Sequence, residues 1–243
     1  GLRSLLFAPG DDPRKLRKAL TSEADAVVAD LEDAVAPAAK DAARATVAEV
    51  FAEVPAGGLR FVRVNAPETG LLAADLAAVD GMQHDGIMLA KATTASLEAL
   101  DRGGPPIIAL IETAAGIRDG YDIAAHPRVA ALMLGGADLA AEANLELRAD
   151  GQELLLARST LVFASTAARI RAPFDVVHLD VRDAQAQRRE AELARSLGFG
   201  GKACVHPAQL EGVHAVFTPG ADEAEHARNV VAAYDSAMER GDA

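Results

Sequence analysis

Short apolar runs rich in Val, Ile and Leu alternate along this chain with longer stretches whose apolar residues recur three and four positions apart. The first pattern predicts strands buried on both faces and the second amphipathic helices, so the chain reads as a succession of βα units on a parallel sheet. Eight runs have this character: Arg3–Ala8, Ala26–Asp30, Arg60–Asn65, Gly86–Ala90, Pro106–Glu112, Ala131–Leu134, Val176–Asp180 and Lys202–His206. They recur about every thirty residues, the spacing of a (β/α)8 TIM barrel of about 250 residues. Helices are predicted between them over Asp12–Leu20, Ala38–Val54, Ala73–Val79, Gln152–Arg171 and Asp183–Leu197, several opened by a capping Asp or a first-turn Pro. A doubly wound open sheet gives the same alternation, but eight strands without a topological break favour closure. The expected fold class is α/β, a (β/α)8 barrel with a short C-terminal helical appendage. No linker or low-complexity tract divides residues 1–243, which read as one domain. Thr218-Pro219-Gly220 breaks the pattern before a last helix from Ala221 to about Met238, so residues 221–243 are expected to form that helix and a polar tail.

Composition narrows the function classes. The 243 residues carry 24 basic and 36 acidic side chains, a net charge of −12, which speaks against nucleic acid or an anionic membrane as a partner held by bulk charge. Half the residues are apolar and a quarter charged, as expected of a compact globular chain with a large core. No window approaches the ~18 uninterrupted apolar residues of a spanning helix, and no charged-then-apolar leader opens the chain. The lone Cys204 cannot form an internal disulfide, which favours a reducing compartment and makes the cytoplasm the expected location.

A barrel of this kind places its chemistry at the C-terminal ends of the strands. Those ends are polar in this sequence: Asp11 and Asp12 after the first run, Asp30, Glu32 and Asp33 after the second, Arg63 and Asn65 in the third, Lys91 after the fourth, Glu112 after the fifth, Asp138 after the sixth, Asp180 and Asp183 after the seventh, His206 after the eighth. Glu112 follows Ile107-Ile108-Ala109-Leu110-Ile111, where a charge is costly unless paired or metal-bound; its plainer reading is a cap for the next helix. Asp138 follows Leu134-Gly135-Gly136-Ala137, a turn that brings backbone close to a ligand, and its plainer reading is again a helix cap. Two carboxylates on neighbouring strand ends, with positions left for water and substrate, suit Mg²⁺, a hard cation that takes few protein ligands.

Strand alternation points Arg63 to the same side as Phe61 and Asn65. There its guanidinium can grip a carboxylate or a developing oxyanion, or form an internal ion pair with Asp30, Glu32 or Asp33. Those three acids repel one another unless cations compensate, and a metal together with Arg63 would do so. Lys91 as a Schiff-base nucleophile is a minor alternative, because a lysine at an acidic rim keeps its charge. Lys202 reads as structural or ligand-binding, and Cys204 as a small core residue. A zinc site would have to be assembled from distant positions such as His178 and His206. His206 reads instead as orienting the last strand end. Neither a Walker loop nor a GxGxxG motif occurs.

At these residues the sequence resembles the citrate lyase β-subunit family, within the HpcH/HpaI aldolase and citrate lyase superfamily. The matching runs are RSLLFAPGDDPRKLRKAL (Arg3–Leu20), DAVVADLEDAVAPAAKDAAR (Asp25–Arg44), FVRVNAPETG (Phe61–Gly70), ALIETAAGI (Ala109–Ile117), LGGADLAAE (Leu134–Glu142) and GFGGKACVHPAQL (Gly198–Leu210). The resemblance implies a TIM barrel, Mg²⁺ held by Glu112 and Asp138, and substrate contacts from Arg63, Glu112, Gly136 and Ala137. It implies a lyase that breaks a 3-hydroxyacyl thioester of the citryl-, citramalyl- or malyl-CoA type into acetyl-CoA, or acetyl-carrier protein, and a 2-oxo acid such as oxaloacetate, pyruvate or glyoxylate. Asp33 or Glu32 is the candidate for proton handling. Trimers or hexamers of the chain are the implied assembly. Hydrolysis of malyl-CoA, and activity only as the β subunit of a citrate lyase complex, are the alternative readings.

Overall fold

The computed structural model describes residues 1–55, 57–100 and 103–240, so the end of the expected tail lies outside the described residues. Eight parallel strands close on one another in chain order: β1 (Ser4–Pro9), β2 (Ala26–Asp30), β3 (Leu59–Val64), β4 (Gly86–Leu89), β5 (Ile107–Ile111), β6 (Val129–Leu134), β7 (Arg171–Asp175) and β8 (Gly201–Cys204). Pairing of Ser4 with Lys202 and of Leu6 with Cys204 joins the last strand to the first. The expected barrel is the observed one, and helix Ala221–Arg240 follows it with its side chains largely exposed. Among the described residues no helix is long and apolar enough to cross a membrane.

Two-residue periodicity sorts each strand into two faces. Leu5, Ala26, Val28, Phe61, Met88, Ile108, Leu110, Ala131, Met133, Phe174 and Ala203 plug the barrel interior. Their neighbours, such as Val27, Ala29, Val62, Ile87, Ala109 and Leu132, pack against the surrounding helices. Counting on by twos along the inward rows leads from Val28 to Asp30, from Phe61 to Arg63, from Leu110 to Glu112 and from Met133 to Gly135. The apolar plug therefore ends in a charged layer at the C-terminal mouth.

One expected strand is displaced. Helical periodicity ran on to Arg171 in the sequence, but the helix Leu155–Ala168 stops where Arg169 turns left-handed (φ 56°), and β7 begins at Arg171. No glycine or proline marks that stop, and Pro173 inside β7 disguises the strand. Val176–Asp180, expected as the strand, instead forms part of the loop above it. Asp183 caps the helix Ala184–Leu197 by accepting from Ala186 N at 2.8 Å. The charge at the end of β7 is Asp175, fully buried on the helix side with Arg158 (2.9 Å) and Lys202 (3.1 Å), so Lys202 is structural. Cys204 is fully buried in β8, and His206 caps the short turn Pro207–Gln209.

Asn65 also departs from expectation. It lies past the end of β3 and faces the helices, where its amide donates to Asp75 Oδ2 (2.7 Å) and to Leu31 O (3.0 Å). Lys40, buried on the helix Lys40–Glu53, donates to Leu31 O (2.7 Å), Glu32 O (2.7 Å) and Asn65 Oδ1 (2.8 Å). One ammonium thus uses all three protons to hold the loop that presents Glu32 and Asp33. Lys40→Met would leave Asn65 Oδ1 without its donor and strip a charged donor from Leu31 O and Glu32 O, and is expected to lower unfolding free energy by about 1–3 kcal/mol in a denaturant titration. A change within 0.5 kcal/mol would contradict this role.

The opposite end is tied by Arg3, which donates to Asp25 through its backbone N (2.6 Å), Nε (2.9 Å) and Nη2 (2.8 Å). Burial pushes the Asp25 carboxyl up, but the Arg3 hydrogen bonds outweigh it and hold it at about 2. A depressed carboxylate stabilises the fold above its unfolded pKa near 4 and loses that contribution as pH falls towards 2. Asp25→Asn is therefore expected to cost about 1 kcal/mol at pH 6, after solvent screening. Denaturant midpoints of the two proteins should converge between pH 5 and pH 2.5.

Candidate active site

The charged layer opens into a cavity of about 420 Å³ at the C-terminal mouth, lined among others by Asp30, Asp33, Arg63, Glu112 and Asp138. β2 and β3 lie side by side with Asp30 paired to Arg63, and the side chains meet twice: Arg63 Nε to Asp30 Oδ1 at 2.7 Å, Nη2 to Oδ2 at 2.5 Å. Asp30 also accepts from the backbone N–H groups of Glu32 (2.8 Å) and Ala34 (3.1 Å), folding the loop back over the strand end. Arg63 Nη1 reaches Glu32 Oε2 at 2.9 Å and Asp33 at 3.5 Å, and its guanidinium stacks 5.3 Å from the Phe7 ring. The internal ion pair and a place on the cavity wall are both realised.

Glu112 stands one residue past β5, only 4% exposed. Its Oε1 accepts from the backbone N–H of Lys91 at 2.9 Å. It caps no helix, since Thr113 does so by accepting from Gly116 N. Gly135 is what makes room for it: a Cβ there would lie 2.4 Å from Glu112 Cβ and 2.7 Å from Oε2. Burial pushes the Glu112 carboxyl up to about 7, and the nearby Glu32 and Asp138 add to that rise. Asp138 lies in the first turn of the helix Gly136–Ala143, whose cap position is Gly135, so it is not a cap either. The amino end of this helix opens on the cavity through Gly136 and Ala137, both lining it.

Lys91 occupies the middle of the acids. Its Nζ is 3.1 Å from Asp138 Oδ2 and 3.3 Å from Glu32 Oε1, while its backbone is left-handed at φ 47°. Burial alone would lower its pKa, but Asp138, Glu32 and Glu112 outweigh burial and raise it. A Schiff-base nucleophile needs the opposite shift. His178 and His206 are not drawn together as ligands: the first pairs with Glu190 at 2.9 Å and the second caps its turn through Ala208 N.

The arrangement brings together Arg63, Glu112, Asp138, Glu32, Asp33, Gly136 and Ala137. Sequence reasoning placed Asp30 only among possible partners and missed Lys40; counting inward positions along β2 would have singled out Asp30. Among the described residues no three His, Cys, Asp or Glu side chains are grouped as a ready-made metal cage. Glu112 and Asp138 nevertheless form a hard two-carboxylate donor set beside open cavity, which fits a cation that keeps water and ligand oxygens in its remaining positions.

A family model for HpcH/HpaI aldolase/citrate lyase matches residues 3–207. The chain belongs to that family. It is 38% identical to the (3S)-malyl-CoA thioesterase of Cereibacter sphaeroides, over 98% of this chain and 85% of the relative. The fold is similar to the Mycobacterium tuberculosis citrate lyase beta subunit complexed with oxaloacetate and magnesium, with TM-score 0.80 and 35% identity over 89% of this chain and 96% of that one. It is also similar to M. tuberculosis CitE in complex with magnesium, acetoacetate and coenzyme A, with TM-score 0.82 and 35% identity over 96% of this chain and 87% of that one. This member of the family is an enzyme of lyase type, with the acids and Arg63 gathered at one mouth.

Proposed function

We propose that the enzyme cleaves the C–C bond of a 3-hydroxyacyl thioester, of the citryl, citramalyl or malyl type, into an acetyl thioester and a 2-oxo acid with Mg²⁺ as cofactor. The observation that carries this reading is the convergence of Arg63, Glu112 and Asp138 on one cavity beside the open amino end of a helix. Magnesium complexes of related proteins with oxaloacetate, and with acetoacetate and coenzyme A, support it. Held by Glu112 and Asp138, Mg²⁺ would supply Lewis acidity toward the hydroxyl and carboxylate oxygens of the substrate.

The chain's own groups divide the remaining work. The N–H groups at Gly136 and Ala137 bind the carboxylate of the 2-oxo acid moiety. Asp33 lines the cavity and is more than half exposed, whereas Glu32 is buried against Arg63 and Lys91. Asp33 therefore takes the hydroxyl proton, and Glu32 holds the two cations in place. The oxygen electrons close to a carbonyl as the C–C bond breaks, and its electron pair passes to the thioester as an enolate. Arg63 stabilises the enolate oxygen until the carbon is reprotonated.

A second reading, thioester hydrolysis, is favoured by the likeness to the C. sphaeroides thioesterase. Water would then attack the thioester carbonyl while Arg63 faces the same oxygen. Mass spectrometry of products from citryl-, citramalyl- and malyl-CoA, each with Mg²⁺ and with EDTA, separates the two. Acetyl-CoA and a 2-oxo acid only in the presence of Mg²⁺ is the expected result. Free CoA and a hydroxy acid would establish hydrolysis instead. Turnover of acyl-carrier thioesters alone would point to a β subunit that works within a lyase complex.

A further inference from the structure

The least expected feature of the mouth is a lysine where a cation belongs. Lys91 Nζ lies 3.1 Å from Asp138 Oδ2 and 3.3 Å from Glu32 Oε1, and the backbone N–H of the same residue holds Glu112 Oε1 at 2.9 Å. A left-handed backbone at a non-glycine residue is costly and persists where surrounding contacts impose it. In this case it lets one residue touch three of the acids at once. The Lys91 side chain is 36% exposed and that of Asp138 38%, against 7% for Glu32, so the contact with Asp138 is the one open to solvent and to exchange. An exposed ion pair of this kind is worth little and is readily surrendered to a dication.

We propose that Lys91 is a resident counter-ion: its ammonium neutralises Asp138 while the mouth is empty and yields that carboxylate when a divalent cation arrives. The inference rests on the assignment of Glu112 and Asp138 as the Mg²⁺ ligands. It adds that the site carries its own competitor, so metal affinity is set partly by a lysine that is not a ligand. The ammonium spares Asp138, Glu32 and Glu112 their mutual repulsion in the empty state, and its charge opposes the incoming dication.

The test is Mg²⁺ binding without substrate, by isothermal titration calorimetry at pH 7.5, on the wild type, Lys91→Met, Lys91→Arg and Glu112→Gln. Lys91→Met is expected to bind Mg²⁺ about tenfold more tightly, and Lys91→Arg, which keeps the charge, to stay within about threefold of the wild type. Metal-free Lys91→Met should also melt at a lower temperature, with a larger rise on adding Mg²⁺ than the wild type shows. Lys91→Gly removes the ammonium and suits a left-handed backbone, and it is expected to repeat the tighter binding even if the Met variant folds poorly. Equal or weaker Mg²⁺ binding by both uncharged variants would overturn the counter-ion role. If Glu112→Gln binds Mg²⁺ as the wild type does, the ligand assignment itself fails, and this inference with it.

Discussion

Arg63→Lys is expected to reduce turnover by about two to three orders of magnitude, with KM changed far less. Lysine keeps one positive charge on the wall of the cavity but loses the planar fork that meets both oxygens of Asp30 and one of Glu32. With a single ammonium shared among three acids, little is left to face an enolate oxygen. Arg63→Ala is a harsher change, since it strands Asp30 as a buried charge without a cation and leaves Glu32 only Lys91, and a loss of about 3–5 kcal/mol in stability should accompany the loss of rate. The lysine variant is thus the informative one, read by steady-state kinetics beside a thermal melt. Unchanged turnover in a folded Arg63→Lys protein would remove Arg63 from the mechanism.

Gly135→Ala is expected to abolish activity almost as completely, although Gly135 carries no functional group. Its added methyl would lie 2.4 Å from Glu112 Cβ and 2.7 Å from Glu112 Oε2, distances that no side chain tolerates. The same methyl would lie 3.3 Å from Leu110 Cδ1, so it is crowded from a second side. The Glu112 carboxylate must swing away from Lys91 N and from Asp138. We expect at least a hundredfold loss of activity and a Mg²⁺ affinity at least tenfold weaker, with a stability cost of about 1–3 kcal/mol from overpacking. Activity assays and calorimetric Mg²⁺ titration check both. Wild-type Mg²⁺ binding in this variant would show that Glu112 need not stand where the structure puts it.

The parts of this architecture that repeat were legible in the amino-acid order. Val28 to Asp30, Phe61 to Arg63 and Leu110 to Glu112 each follow two-residue alternation, so the residues that rise above the apolar plug could be named from the chain alone. Local events without a residue signature were not. The helix before β7 ends on a left-handed Arg169, a conformation usually marked by glycine or asparagine, so the residue pattern places the strand five residues beyond its true start. Asn65 kept the parity of Arg63 but lies beyond the last paired residue of β3, where the pleat no longer dictates direction. Lys40 escaped for another reason, and Lys91 was placed at the mouth without its partners. The two act on groups eight to fifty-nine positions away, such as Leu31 and Glu32, and a lysine's long stem conceals its destination from any pattern of neighbours.

The crowding of acids at the mouth also bears on the sequence of events in turnover. Fully ionised, Asp30, Glu32, Asp33, Glu112 and Asp138 share, among the described residues, the cations of Arg63 and Lys91, leaving three negative charges in surplus on a chain already at −12. A thioester bearing a carboxylate and a coenzyme's phosphates would be repelled from such a mouth, whereas a dication would be drawn in. Loading of the substrate proposed above would then be ordered, metal ahead of acid. Product inhibition patterns should show the 2-oxo acid competing with the thioester for the metal-loaded form alone, and raising ionic strength should ease capture of the anionic substrate while weakening capture of the metal.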